Sequence, residues 1–468
     1  MWLEPRGLVS GNRLDVFART GFVRDRRDGE LGNWSRSLYR NFLMASGVDG
    51  HGFENGTRST LADYFRNFEQ LIDSLHSGGF KSEISSIPLS KQGITNGAHR
   101  LAIALELGMR VHIENSDEIF SPYDYRWMRR RGLASLFVDA MAFELISYTP
   151  MARATVIFGQ EKQIIDAIEN ELLESAEIII RKQIQLSEIG KRRSVQLCYD
   201  HNSWWKNTHL EKLTAERFPQ GESHLDVIFS LEKHVGNVRD RKTLLRRILP
   251  TGHFERRIHG SDEYFDTFYL AECLLNQNSI DFLNSSPIGS ESRILSALGG
   301  NLICRNPSET SRDWCIDGSS TLEIHGLRMA KDLDFITLPN SMQPAELLNI
   351  AELHNDSYQS GVVEFSQVIR DPRKHLRFKG IKFISLAALM QIKFQQKDSK
   401  AVVDRQLMIN WTQSPLRLYQ TADLRVLGRL ERFAYWITSK LNKALLRLPD
   451  SIEQRTREII SRVRKRLS

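Results

Sequence analysis

An α+β fold is what this sequence predicts, and three stretches carry the prediction. Trp314-Cys315-Ile316-Asp317 reads as a strand running into the small-residue turn Gly318-Ser319-Ser320 and a helix. Further on, Asp332-Leu333-Asp334-Phe335 alternates polar and apolar residues as a second strand. Ala98 to Leu107 reads as a helix entered through the Asn96-Gly97 turn, stopped by Gly108 and followed by the strand Val111-His112-Ile113. Leu61 to Leu75 places Leu61, Phe65, Phe68, Leu71, Ile72 and Leu75 at helical spacing.

The remaining elements follow in order. Ile84 to Leu89 is a short extended segment, turned at Lys91-Gln92-Gly93, and Leu133 to Ile157 fits a buried helix and a strand. Gln160 to Leu186 is read as one long amphipathic helix, Val195 to Tyr199 and Asp226 to Phe229 as strands, and Arg239 to Ile248 as a basic helix. Ser261 caps a helix running to about Asn276. Pro344 opens a helix to about His354, Gly361 to Phe365 reads as a strand, and Leu386 to Gln396 is a helix carrying Lys393.

At 468 residues the chain is too long for one ordinary core. The polar loop Asn284-Ser285-Ser286-Pro287-Ile288-Gly289-Ser290 is the best boundary, giving 1–285, 291–418 and a tail, 419–468. Hydrophobic content of 41% and charged content of 26% describe a soluble globular protein. No apolar run approaches the ~20 residues of a membrane span, and the start Met1-Trp2-Leu3-Glu4-Pro5 lacks a secretory core. Cys198, Cys273, Cys304 and Cys315 are scattered, which fits a reducing cytoplasm and excludes a Cys-x-x-Cys zinc site. From Tyr419 onward twelve Lys and Arg face five Asp and Glu, an excess equal to the +7 of the whole chain. The nearly neutral remainder disfavours a nucleic-acid-coating protein. The basic tail carries an apolar stripe, from Leu427 through Phe433 and Ile437 to Leu448, of the kind that docks on its own domain, a partner or an anionic membrane surface.

Candidate chemistry centres on the acidic pair. A period of two places Asp332 and Asp334 on one face of a strand, where two carboxylates near a phosphate-binding turn can hold Mg²⁺ between protein and nucleotide. Gly318, Ser319 and Ser320 are candidates for the phosphate contact, with His325 and Arg328 between turn and acids. Glu364 is the candidate third carboxylate and Lys393 a further phosphate partner. Solvated surface roles are the alternative for each of these polar residues.

The turn, the short helix and the Asp-x-Asp strand resemble the nucleotidyltransferase superfamily, whose fold is a mixed sheet flanked by helices. The resemblance implies that Gly318, Ser319 and Ser320 contact phosphates and that Asp332 and Asp334 bind metal. Gly380-Ile381-Lys382-Phe383-Ile384-Ser385-Leu386, with Lys393, Lys397-Asp398 and Asp404, is similar to the tail of AbiE-type members, although Asp404 lies further along than that pattern allows. The stretch Asn96-Gly97-Ala98-His99-Arg100 with its helix resembles the ParB/sulfiredoxin-like fold, implying that Gly97, His99 and Arg100 face a phosphate or nucleotide. The second half is also distantly similar to LicD-type phosphotransferases. Together these resemblances imply a Mg²⁺-dependent nucleotidyl- or phosphotransferase acting on a sugar, alditol or glycan acceptor in bacterial polysaccharide biosynthesis, with a first domain that binds nucleotide or acts as a kinase. A nucleic-acid-binding or toxin-like protein and an inactive scaffold are the alternatives.

Overall fold

The computed structural model describes residues 1–412 except 30–31, 48–59, 200–209, 219–220, 234–242, 244, 246–256, 304–312, 339–344 and 356–363. Of the basic helix expected near 239–248 only 243 and 245 are described, both helical, and the tail 419–468 lies outside the described residues. Met1–Arg405 forms one compact unit, and Gln406–Ser468 a second, of which 406–412 is helical. Among the described residues, helices accompany three sheets of strands, consistent with the expected α+β class. No helix among the described residues is long and apolar enough to cross a membrane.

The first sheet contains β1 (Trp2–Leu3), β2 (Ile87–Ser90), β3 (Gly93–Ile94) and β4 (Val111–Asn115), in the order β1-β4-β2-β3. The helix Ala98–Leu107 crosses between β3 and β4 with the predicted bounds. Its two glycines sit where the chain needs a left-handed residue, Gly97 at φ +92° before the helix and Gly108 at φ +64° after it. The interior of this region also buries charge, with Arg13 and Arg19 closing on Asp15 at 2.8 and 3.4 Å. Burial alone would raise the Asp15 pKa, but the two guanidiniums hold it below the usual carboxylate range.

The second sheet is antiparallel: β5 (Ala152–Phe158), β6 (Ala176–Gln185), β7 (His224–Glu232) and β8 (Ile258–Gly260), in the order β6-β7-β5-β8. The long helix expected over 160–186 stops at Ser175, and the chain continues as β6. The run Ile178-Ile179-Ile180 decides this, because β-branched side chains suit a ladder against β7 better than a crowded helix. Conversely, the strand expected at 195–199 is the last turn and a half of a helix, Glu188–Tyr199. The Ser187 hydroxyl accepts from the Gly190 amide at 3.0 Å and starts that helix, an N-cap signal that outweighs a short apolar run. Ser261 does not cap its helix either. Its hydroxyl accepts from the Ala154 amide at 2.9 Å, and the helix runs from Tyr264 to Leu274.

The third sheet contains β9 (Trp314–Asp317), β10 (Asp334–Thr337), β11 (Glu352–Leu353), β12 (His375–Phe378) and β13 (Ile381–Ile384), in the order β11-β10-β9-β13-β12. β9 runs antiparallel to β10 and parallel to β13, while β10 and β11 are parallel. The sheet is therefore mixed. Lys379 at φ +51° and Gly380 at φ +77° make the two-residue turn between β12 and β13. The loop 284–290 is pinned by Arg193, whose Nε donates to Ser286 O at 2.9 Å and whose Nη2 pairs with Glu291 at 3.0 Å.

Candidate functional site

β9 delivers Asp317 to the end of the third sheet, and the chain then turns at Gly318 with φ +62° and ψ −135°. Few L-residues accept that conformation, and there is a second reason for glycine. A Cβ at position 318 would stand 2.8 Å from Asp334 Oδ2. Gly318→Ala is expected to displace the Asp334 carboxylate and to cost about 1–3 kcal/mol, measured as a lowered thermal midpoint. An unchanged midpoint would show that the turn relaxes freely.

The antiparallel register sets Asp317 directly opposite Asp334, and the parallel register sets Asp334 opposite Glu352. Side chains of paired residues leave the same face of a sheet, so three carboxylates stand in one row across β9, β10 and β11. His354, two residues beyond Glu352, joins that face with Nε2 3.3 Å from Asp334 Oδ1. Its amide donates to Phe335 O at 2.8 Å, which fixes the end of β11 against β10. One ligand atom from each of Asp334, Glu352 and His354 lies within 4.8 Å of the others. Asp334 is buried, His354 half-buried and Glu352 exposed.

Electrostatically the row calls for a cation. Burial pushes the Asp334 pKa above the usual carboxylate range, and the neighbouring Asp332 and Asp317 push it further, against His354 and Lys400. Asp334 Oδ1 is buried and accepts no hydrogen bond. A dication beside it would satisfy this oxygen and relieve the repulsion among the acids, so the residues present fit a metal.

The predicted turn and acidic pair do come together. Ser319 Oγ donates to Asp332 Oδ1 at 3.3 Å and Ser320 Oγ to Asp332 O at 3.4 Å. Asp332 itself is exposed and precedes β10, which begins at Asp334. The helix after the turn, Ser319–Ile324, is only six residues long, so the dipole expected at its start is weak. Arg328 and Lys393 also meet, on a carboxylate. Asp404 accepts from Arg328 Nε at 2.6 Å and Nη2 at 3.0 Å, with Lys393 Nζ 3.8 Å away. Asp404 thus has a definite partner set, in spite of its distance along the chain.

Other expected site residues stand elsewhere. Glu364 is exposed and immediately precedes the helix Phe365–Arg370, so it is not a strand residue. His325 is buried, with Nδ1 2.9 Å from Ser286 Oγ and its ring edge-on to Phe282. His99 Nε2 lies 2.7 Å from Tyr39 Oη, and its ring sits edge-on to Phe68 at 4.7 Å. Arg100 donates to Ser86 O. Gly97 packs against Ile87, where a Cβ would meet a side-chain carbon at 3.2 Å. These contacts give Gly97, His99 and Arg100 a packing role. Arg241, Lys242 and Arg246 of the expected basic helix lie outside the described residues.

Sequence reasoning left Asp317 without a role and missed Glu352 and His354. Glu352-Leu353-His354 carries a period-two signal, but the expected helix over 344–354 covered it; the helix spans only Ala345–Leu348. No protein-family model, no curated protein and no solved structure matches the chain.

Proposed function

We propose that this chain is a metal-dependent nucleotidyl- or phosphotransferase of the nucleotidyltransferase type, acting on a sugar, alditol or glycan acceptor. One observation carries the reading: Asp317 and Asp334 face each other across β9 and β10, beside a turn whose left-handed Gly318 would bring an added Cβ to 2.8 Å from Asp334. Asp334 and Asp317 would hold a dication, which when bound neutralises phosphate oxygens and polarises the transferred group. Gly318, having no side chain, leaves room for phosphate beside the carboxylates. Arg328 and Lys393, gathered by Asp404, would supply positive charge at the edge of the donor. The ParB-like segment at residues 97–100 serves in this reading as a packed element of the fold, because His99 and Arg100 are engaged with Tyr39 and Ser86.

The test is calorimetric titration of CTP, ATP, GTP and UTP, with and without Mg²⁺, into the wild-type chain and Asp334→Asn. Binding of one nucleotide should require the dication and weaken by roughly a hundredfold in the variant, as befits loss of a metal ligand. Failure of every nucleotide to bind, or binding indifferent to Asp334, would reject the reading.

A further inference from the structure

The row of acids on the third sheet ends in an imidazole, and this sets the kind of cation it takes. β11 pairs with β10 in parallel register, so Glu352 stands beside Asp334 and His354 follows on the same face. The three ligand atoms all lie within 4.8 Å of one another, near the ~4 Å between ligands on opposite sides of a metal with ~2.1 Å bonds. Glu352 is exposed and His354 half-buried at the sheet edge, with His354 Nε2 already 3.3 Å from Asp334 Oδ1. Asp334 is the fixed point: it is 5% exposed, and its Oδ1 accepts no hydrogen bond.

We propose that Asp334, Glu352 and His354 form a binding site for a first-row transition dication, with Mn²⁺ and Zn²⁺ held in preference to Mg²⁺. Mg²⁺ demands oxygen ligands in near-ideal octahedral geometry and keeps most of its water. Imidazole nitrogen suits the borderline cations, whose affinity for mixed nitrogen and oxygen sites rises from Mn²⁺ towards Zn²⁺. Two carboxylates neutralise the charge, His354 supplies the discriminating bond, and the remaining positions stay open to water or a phosphate oxygen. Asp317, opposite Asp334 on β9, lies on the same face and reinforces the negative field. Lys400 adds a through-space attraction to Asp334 and competes weakly with the metal.

This inference rests on the reading above only for Asp334, which it places in a different ligand set with Glu352 and His354, and it is tested without nucleotide. The metal-free full-length chain is titrated with MgCl₂, MnCl₂ and ZnCl₂ by calorimetry, and the Mn²⁺ form is examined by pulsed electron paramagnetic resonance for coupling to a ¹⁴N nucleus. Mn²⁺ and Zn²⁺ should each bind at least about tenfold more tightly than Mg²⁺, and the Mn²⁺ spectrum should show one imidazole nitrogen. His354→Ala, at a half-exposed edge position that leaves the core intact, should abolish the ¹⁴N coupling and bring Mn²⁺ affinity down towards that of Mg²⁺. Glu352→Gln should weaken Mn²⁺ and Zn²⁺ while keeping the nitrogen signal. Equal affinity for Mg²⁺ and Mn²⁺, no nitrogen coupling in the wild type, or coupling that survives His354→Ala would each overturn the proposal. Mn²⁺ binding through His354 in a chain that takes no nucleotide would uphold this site while rejecting the transferase. Mg²⁺-dependent nucleotide binding with no nitrogen signal would do the reverse.

Discussion

Arg193→Ala is expected to lower the unfolding free energy by about 3–5 kcal/mol, the cost of stranding one member of a buried ion pair. Arg193 is 1% exposed and crosses from the helix Glu188–Tyr199 to the 284–291 segment. Its guanidinium lies 4.8 Å over the Phe282 ring and donates to Ser286 O, Pro287 O and Glu291 Oε2. Alanine removes these donors and leaves the buried Glu291 carboxylate without its counter-charge. Equilibrium urea unfolding measures the loss, and Glu291→Gln in the alanine background should recover part of it. A loss below about 1 kcal/mol would mean that water or a local shift replaces the guanidinium.

Glu272→Gln is expected to change stability in a pH-dependent direction. Glu272 is 1% exposed, with Oε1 accepting from the Gly380 amide at the β12–β13 turn. Burial pushes its pKa up to about 8, against a smaller pull from that amide and Arg377. Below the unfolded-state value near 4.3 the carboxyl is protonated in both states and its contribution is fully present. As pH rises towards the folded value the unfolded chain releases the proton first, so the native state loses stability by up to about 1.4 kcal/mol per pH unit. The glutamine variant does not titrate. Its stability relative to wild type should therefore climb by several kcal/mol between pH 5 and pH 8. Urea unfolding at pH 5, 6.5 and 8 checks this, and a difference that stays flat with pH would place an ionised Glu272 in the folded chain.

Local signals carried the parts of the fold that depend on neighbours in sequence. The Asn96-Gly97 turn, the helix Ala98–Leu107 and the stop at Gly108 stand where the residues put them, because conformational preference and capping are decided within a few residues. The same holds for the helix begun at Leu61, which Thr60 and Asp63 cap reciprocally. The strand 314–317, the glycine turn and the nearness of turn and acids were likewise legible, although the strand expected from Asp332 begins only at Asp334.

What only the tertiary structure decided is pairing. Ala176–Gln185 left the helical pattern because β7 offered a ladder partner, which no local window contains. His99 and Arg100 read as an anion site from their place at a helix start, yet Tyr39, Phe68 and Ser86 arrive from distant segments and engage them. Asp404 found Arg328 across 76 residues of chain. Above all, the sequence placed Asp334 on a strand beside a glycine turn, while β-sheet register alone set Asp317, Asp334 and Glu352 in one row and brought His354 to its end. The alternation that puts side chains on one face is a property of each strand by itself. Which strands lie side by side, and in what register, is set by the packing of the sheet against the rest of the fold.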